Sequence, residues 1–347
     1  MSHPGMSAFV AAQRFLWQTA QGLAGSPQQR LQQALDALRQ WQDAGAGYFV
    51  EHPDVARRLA RTDAEDLAFL AHELLCEHWT PLHASEVIAS FTDIGCQFLG
   101  SATPLENIDA VSLPGNCLPL LEGLTDPGLR ETAKDMARNQ SQRRDLFQRA
   151  PQPLSPDEHR QILLDGCWAT LPGAPQPGGL TFDSRIGPVQ GDAQLFSPLL
   201  SALASGAQSF AELARHPELN TRIGELSPAL QLLLGEGLAH PLLEGEVAFA
   251  RCQVLNRLLA EGALQGAGYG HLAAPILGAP IAADILEMAA ARVLLEHPQL
   301  RGELLHETAL ALLRRTGRAC GEEERVRLRS FEAETLTRWL QMGVVGS

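Results

Sequence analysis

The sequence predicts a mainly α protein in two parts: an N-terminal helical domain over residues 1–172, then a winged-helix-like domain over residues 173–347 with a small β wing and C-terminal helices. Three observations lead there. Apolar residues recur at the spacing that stripes one helix face, as in Leu67, Leu70, Leu74 and Leu75. The stretch 171–179, LPGAPQPGG, is uncharged and rich in proline and glycine, the composition of a linker or exposed loop, so the boundary falls there. Beyond it come a strand-like LTFDSRIGPVQ, helix-like SPLLSALASG, SFAELARHPEL and SPALQLLLGEGLA, and an extended HPLLEGEVAFA, the element order of a winged helix.

From the N-terminus, residues 7–23 read as an amphipathic helix offering Phe9, Phe15 and Trp17 to a core. Ser26-Pro27 starts the next, with serine as N-cap and proline in the first turn. Leu31, Leu35, Leu38 and Trp41 then fall on one face, and Gly45-Ala46-Gly47 ends it. Thr62 and Glu65 have capping-box spacing ahead of a helix that Trp79-Thr80-Pro81 closes. A second helix runs from about 84 to 92, and Gly95 turns the chain into the short apolar stretch 96–99. Asp126-Pro127 starts a helix assigned the densest basic cluster of the chain, Lys134, Arg138, Arg143, Arg144 and Arg149.

Two of these segments carry a family likeness. LAHELLCEHWTPLHASEVIASF followed by FLGSA resembles the regulatory region behind the catalytic domain of certain bacterial S-adenosylmethionine-dependent methyltransferases, protein-lysine methyltransferases among them. His72, Glu73, Trp79 and Pro81 stand at the positions of that region's His-Glu, Trp and Pro, while Leu74 replaces its usual aromatic. ARNQSQRRDLFQRA resembles its Asn-Arg, Arg-Arg-Asp, Arg signature through Asn139, Arg143, Arg144, Asp145 and Arg149, and HLAAPILGAP at 271–280 resembles a further segment. The likeness covers most of the chain but brings no catalytic domain with it. The chain therefore reads either as a separate accessory protein or as part of a larger methyltransferase.

The basic cluster has two readings. In one, its guanidinium groups clamp neighbouring helices by pairing with carboxylates such as Glu131, Asp135 and Asp145. In the other, the five basic residues are partner-binding and dock an acidic surface; nucleic acid comes third. A formal charge of −13 disfavours phosphate backbones. The third helix of the second domain argues the same way, because Leu230, Leu232, Leu233, Leu234 and Leu238 dominate where a DNA reader needs arginine or amides.

Motifs that suggest chemistry fall short of it. His72-Glu73-Leu74-Leu75-Cys76 is one residue from the zinc-protease pattern, but cysteine is foreign to that chemistry and no third ligand is in view. A structural His72–Glu73 pair is the expectation. Asp93-Ile94-Gly95-Cys96 follows a helix instead of a buried strand, and 266–270 (GAGYG) lies between helices, so neither suits a nucleotide cofactor. The six cysteines lack CxxC spacing and read as buried free thiols.

No run of apolar residues reaches the length of a membrane span, and the first twenty residues lack a basic n-region, so the expectation is the cytoplasm and no membrane. With no catalytic or cofactor motif the chain reads as a non-enzyme with no cofactor and no metal. It is expected to act as a regulatory or substrate-recruiting protein beside a separate methyltransferase, its partner being that enzyme or its substrate. The alternative is a self-contained module that binds a peptide or small molecule.

Overall fold

A computed structural model describes residues 1–62, 66–175, 178–184, 186–243 and 248–346, and it is mainly helical with small antiparallel sheets. The chain divides into two compact units, Met1–Gln152 with Ser184–Gly187, and Pro153–Asp183 with Pro188–Ser347. The boundary expected at 172/173 lies inside the second unit so defined. The reason is β3 (Cys167–Thr170), which sequence reading left in the first domain but which pairs with strands far downstream.

The first unit is built from α1 (Phe9–Gln21), α2 (Pro27–Asp43), α3 (Pro53–Arg61), α4 (Leu67–Leu74), α5 (Ala84–Asp93) and α6 (Pro127–Arg138), with β1 (Cys96–Ser101) paired antiparallel to β2 (Asp145–Arg149). Its core gathers Phe9, Leu16, Leu31, Leu35, Leu59, Leu70 and Leu74. Each such buried side chain contributes about 1.5–3 kcal/mol of transfer free energy. Ser26 caps α2 as anticipated, completed into a capping box by Gln29, but Trp41 is 58% exposed instead of joining Leu38 in the core.

Helix α4 departs from expectation at both ends. Asp66, not Thr62, caps it by accepting from the Ala68 amide, while Thr62 closes α3 by donating to the Leu59 carbonyl; Glu65, the other half of the expected capping box, lies outside the described residues. At the far end α4 stops at Leu74, before Trp79-Thr80-Pro81, because the buried amide of Gln13 donates to the carbonyls of both Leu74 and Cys76 at 2.9 Å. The Leu74 carbonyl is one of the orphan acceptors a helix end leaves behind, and Cys76 is two residues past it.

In the second unit α7 (Pro156–Asp165) leads into β3, which is the middle strand of a three-stranded antiparallel sheet ordered β6-β3-β7, with β6 at Gln208–Ser209 and β7 at Ala239–Pro241. Around it stand α8 (Ala193–Ala204), α9 (Phe210–Arg215) and α10 (Ile223–Gly235). The stretch expected as the first strand instead contributes to a separate two-stranded sheet of β4 (Thr181–Ser184) and β5 (Gly187–Gln190). Two start signals stand in this stretch of sequence, Ser197 with Pro198 and Ser209 with Glu212: the second caps α9, whereas α8 begins earlier than the first, at an Asp192 cap, and carries Pro198 inside it.

The remaining helices are α11 (Phe249–Leu264), α12 (Ile285–Glu296), α13 (Gly302–Arg315), α14 (Glu322–Ser330) and α15 (Leu336–Met342), with the hairpin β8 (His271–Ala274) and β9 (Ala279–Ala282) between α11 and α12. Leu272, Met288, Leu294, Leu310 and Trp339 are among the side chains of their common core. Glu332 serves as a distant cap for α13, accepting from the Gly302 amide at 2.8 Å while lying 2.7 Å from the buried His306 ring.

Candidate functional site

Helix α6 ends where Asn139 takes a left-handed conformation at φ 50°, and the returning Gln140 amide bonds to the Asp135 carbonyl. A residue that tolerates positive φ is what lets the chain reverse there. Only Lys134 and Arg138 of the expected basic helix are therefore helical; Arg143 and Arg144 follow the turn and Arg149 ends β2. The reversal folds Arg143 back over α6.

Its guanidinium meets three carboxylates: Asp135 at 2.6 Å, Glu131 at 2.9 Å and Asp145 at 2.9 Å. Burial works against that charge, but the hydrogen bonds it donates to Asp145 and Glu131, with the nearby carboxylate charges, outweigh it and hold the group firmly protonated. Asp135 is fully buried, and desolvation lifts its pKa above the ordinary carboxylate value although Ser2 Oγ donates to it at 2.7 Å and Arg143 faces it. Lys134 bridges Asp109 (2.9 Å) and Glu131 (3.2 Å). Arg138, which burial pulls below its ordinary value, donates to the Glu106 carbonyl and to Ser112 Oγ. The Glu106 carboxylate in turn accepts from Ser101 Oγ and Gln140, each at 2.7 Å.

Three of the five basic residues thus spend their charge inside the unit, locking α6 to the N-terminal residues and to the strands. Arg144 and Arg149 do not: both are exposed, Arg144 within 3.5 Å of the Thr103 hydroxyl and Arg149 without a partner among the described residues. Beside the network lies a cavity of about 270 Å³ lined in part by Ser2, Val87, Phe91, Arg143, Asp145 and Phe147, with the Phe91 and Phe147 rings stacked at 4.1 Å.

The His-Glu motif is placed differently from expectation. His72 is exposed and Glu73 lies 3.9 Å from Arg58, so no buried His72–Glu73 pair holds the helix. Trp79 and Pro81 are buried, Trp79 against the Phe9 ring at 5.9 Å. Cys76 sits beyond the end of α4 and shares no helix face with His72. Among the described residues no three His, Cys, Asp or Glu side chains gather as a metal site. All six cysteines are free, but each is half-buried or exposed, against the expectation of burial.

Sequence reading missed a second cavity, of about 670 Å³, between α11 and the β8–β9 hairpin. Its wall uses Leu255, Leu259, Tyr269, His271 and Pro280, so much of the segment 271–280 that resembled the methyltransferases serves to line it. The fully buried Asn256 pins the hairpin: its amide nitrogen donates to the carbonyls of Ala273 and Val344 at 2.8 Å, and its oxygen accepts from the Ala273 amide at 2.6 Å. Asn256, an amide set against Leu255 and the Leu258-Leu259 pair on α11, was the signal available. Gly343, at φ +73°, lets the chain pass so close to Phe249 that a β-carbon there would fall 2.5 Å from the ring.

Comparison with known proteins places these features. Residues 66–149, which hold the ion-pair network and the β1–β2 pair, match the family described as "Predicted methyltransferase regulatory domain". A curated relative, the uncharacterised protein sll1526 of Synechocystis sp., is 27% identical over 288 residues; the match covers 82% of this chain, which spans only 57% of that protein's length. Among solved structures the chain is similar to PKMT2 from Rickettsia typhi in complex with AdoHcy, with a TM-score of 0.63 at 14% identity over 99% of this chain and 73% of that one. PKMT2 without that ligand in its description gives a TM-score of 0.55, also at 14% identity, over 91% of this chain and 71% of that one.

The expectation of a non-enzyme does not stand. Nearly the whole chain follows the fold of PKMT2, seen bound to AdoHcy, and the lack of a local cofactor motif carries no weight when the chain spans 73% of that protein and 57% of the Synechocystis one. Motif reading tests a few contiguous residues, whereas the fold is a property of the whole chain.

Proposed function

We propose that this chain is the regulatory and substrate-recruiting region of an S-adenosylmethionine-dependent protein methyltransferase, working with a cofactor-binding catalytic domain and presenting the protein acceptor to it. The observation that carries the reading is the agreement of two independent comparisons. The family match at 66–149 is to a methyltransferase regulatory domain, and the fold match to PKMT2 runs through 99% of the chain. We read α8, α9 and α10 with the β6-β3-β7 sheet as a winged-helix-like module whose leucine-rich third helix serves packing instead of DNA. Arg144 and Arg149 are the partner-binding members of the basic cluster, and Lys134, Arg138 and Arg143 are its internal clamp. The cytoplasmic location expected from the N-terminal residues belongs with this reading.

The test measures transfer of radiolabelled methyl groups from S-adenosylmethionine to a lysine-rich protein acceptor, with this chain alone and with it mixed with the part of the Synechocystis protein that it does not match. The chain is expected to raise transfer chiefly by lowering the apparent KM for the acceptor, and Arg144→Glu with Arg149→Glu to cancel the gain. Unchanged transfer with every mixture, together with no binding of the acceptor by the chain, overturns the reading. A second reading, a module that binds a small apolar ligand on its own, is favoured only by the cavity beside β8 and β9. A thermal shift produced by such a ligand in the chain alone, with no effect on methyl transfer, selects it.

A further inference from the structure

Helix α7 is anomalous. It spans ten residues, is capped by Ser155 and Glu158, and buries not one of its side chains; Leu163 is 42% exposed. An isolated helix of this length is marginal in water, and helices normally hold together by burying an apolar stripe. Against α9 this one leaves a groove of about 450 Å³ instead, with Leu163 on one wall, Phe210 and Ala214 on the other, and Ile223 at one end.

The groove is also basic. Arg160 and Arg215 line it, and among the described residues neither guanidinium lies within ion-pair distance of a carboxylate; Arg215 only turns its Nε to the Ala211 carbonyl of its own helix. Carboxylates on the two helices make their hydrogen bonds elsewhere, and Glu212 meets Arg215 only through the longer-range pull of its charge. Glu158 caps α7 through the Ser155 amide and hydroxyl, Glu212 caps α9 through Ser209 in the same way, and Asp165 accepts from Gln161. Asp157 is left, in the first turn, where the helix dipole favours it. In a chain of net charge −13, a trough whose lining holds Arg160, Arg215 and His159 but no carboxylate is a basic strip set between acidic flanks.

We propose that the groove between α7 and α9 docks an acidic amphipathic helix of a partner protein, whose leucine-like side chains fill the trough while its flanking carboxylates pair with Arg160 and Arg215. A helix laid in a groove supplies the apolar stripe that α7 lacks, and the arginine forks fix its orientation. The inference concerns a surface apart from the ion-pair network and does not depend on the methyltransferase reading.

The test is fluorescence anisotropy of the full chain with a fluorescein-labelled peptide of about 15 residues that carries leucines at i, i+4 and i+7 and glutamates elsewhere. Binding in the micromolar range is expected, weakened about ten-fold or more by Arg160→Glu with Arg215→Glu and by Leu163→Asp. A matching peptide with lysines for glutamates is expected to bind only the charge-reversed chain. All of these positions are surface ones, and an unchanged circular dichroism melt confirms that each variant folds. Equal affinity for the two peptides, or no anisotropy change up to about 1 mM, overturns the proposal. So does sedimentation of the chain as a dimer that Leu163→Asp dissociates, because the groove then belongs to a second copy.

Discussion

At the scale of single residues, the same side-chain type does different work according to where the backbone leaves it. Arg143 and Arg144 are neighbours in sequence, yet one faces three carboxylates and the other solvent. Replacing Arg143 by Ala strands the buried Asp135 carboxylate, and a loss of about 3–5 kcal/mol of stability is expected in denaturant titration. Arg144→Ala should stay within about 0.5 kcal/mol of the parent chain. Comparable losses for the two would show that the network is not a clamp. Gln13 is a smaller case of the same kind: Gln13→Ala leaves the Leu74 and Cys76 carbonyls without their donor and should cost about 1–3 kcal/mol, with faster hydrogen exchange in the last turn of α4.

At the scale of elements, caps decide where helices begin, and pH reads them. The Glu212 carboxyl is held below its ordinary value of 4.5 by bonds from the Ser209 amide and hydroxyl. A lowered acid stabilises the fold at pH above the unfolded value, and that contribution drains away as pH falls through the folded one. The melting temperature of the chain should therefore fall as pH drops below the ordinary carboxylate value, and Glu212→Gln should flatten part of that slope while lowering the plateau above it. A slope identical in both proteins rules the cap out as its source. The exposed apolar residues of α7 belong to this scale as well, because a helix without a buried face is an element awaiting something to cover it.

At the scale of the whole molecule, the division at Gln152 and Pro153 makes a direct forecast. Limited proteolysis under native conditions should cut first near residues 150–156, releasing a fragment that starts at α7, with β3 retained beside β6 and β7. First cleavage confined to 171–179 would instead restore the boundary expected from composition. A chain cut near 150–156 should keep the β6-β3-β7 sheet protected from hydrogen exchange, since all three strands lie on one side of the cut.

What the sequence determined by itself were the features governed by neighbours along the chain. The helical class and the Ser26, Asp126 and Ser209 caps all follow from residues within one or two turns of each other. The likeness to a methyltransferase regulatory region was legible for the same reason, since its motifs are contiguous; the family match at 66–149 contains the His-Glu and Arg-Arg-Asp segments but not the one at 271–280. Only the tertiary structure decided which basic residues are spent and which are free, where α4 stops, that β3 pairs across some seventy residues to β7, and that the hairpin after α11 walls a cavity. Each of those depends on partners far apart in sequence. Periodicity carries no information about them, because burial and pairing are set by what the folded chain brings alongside.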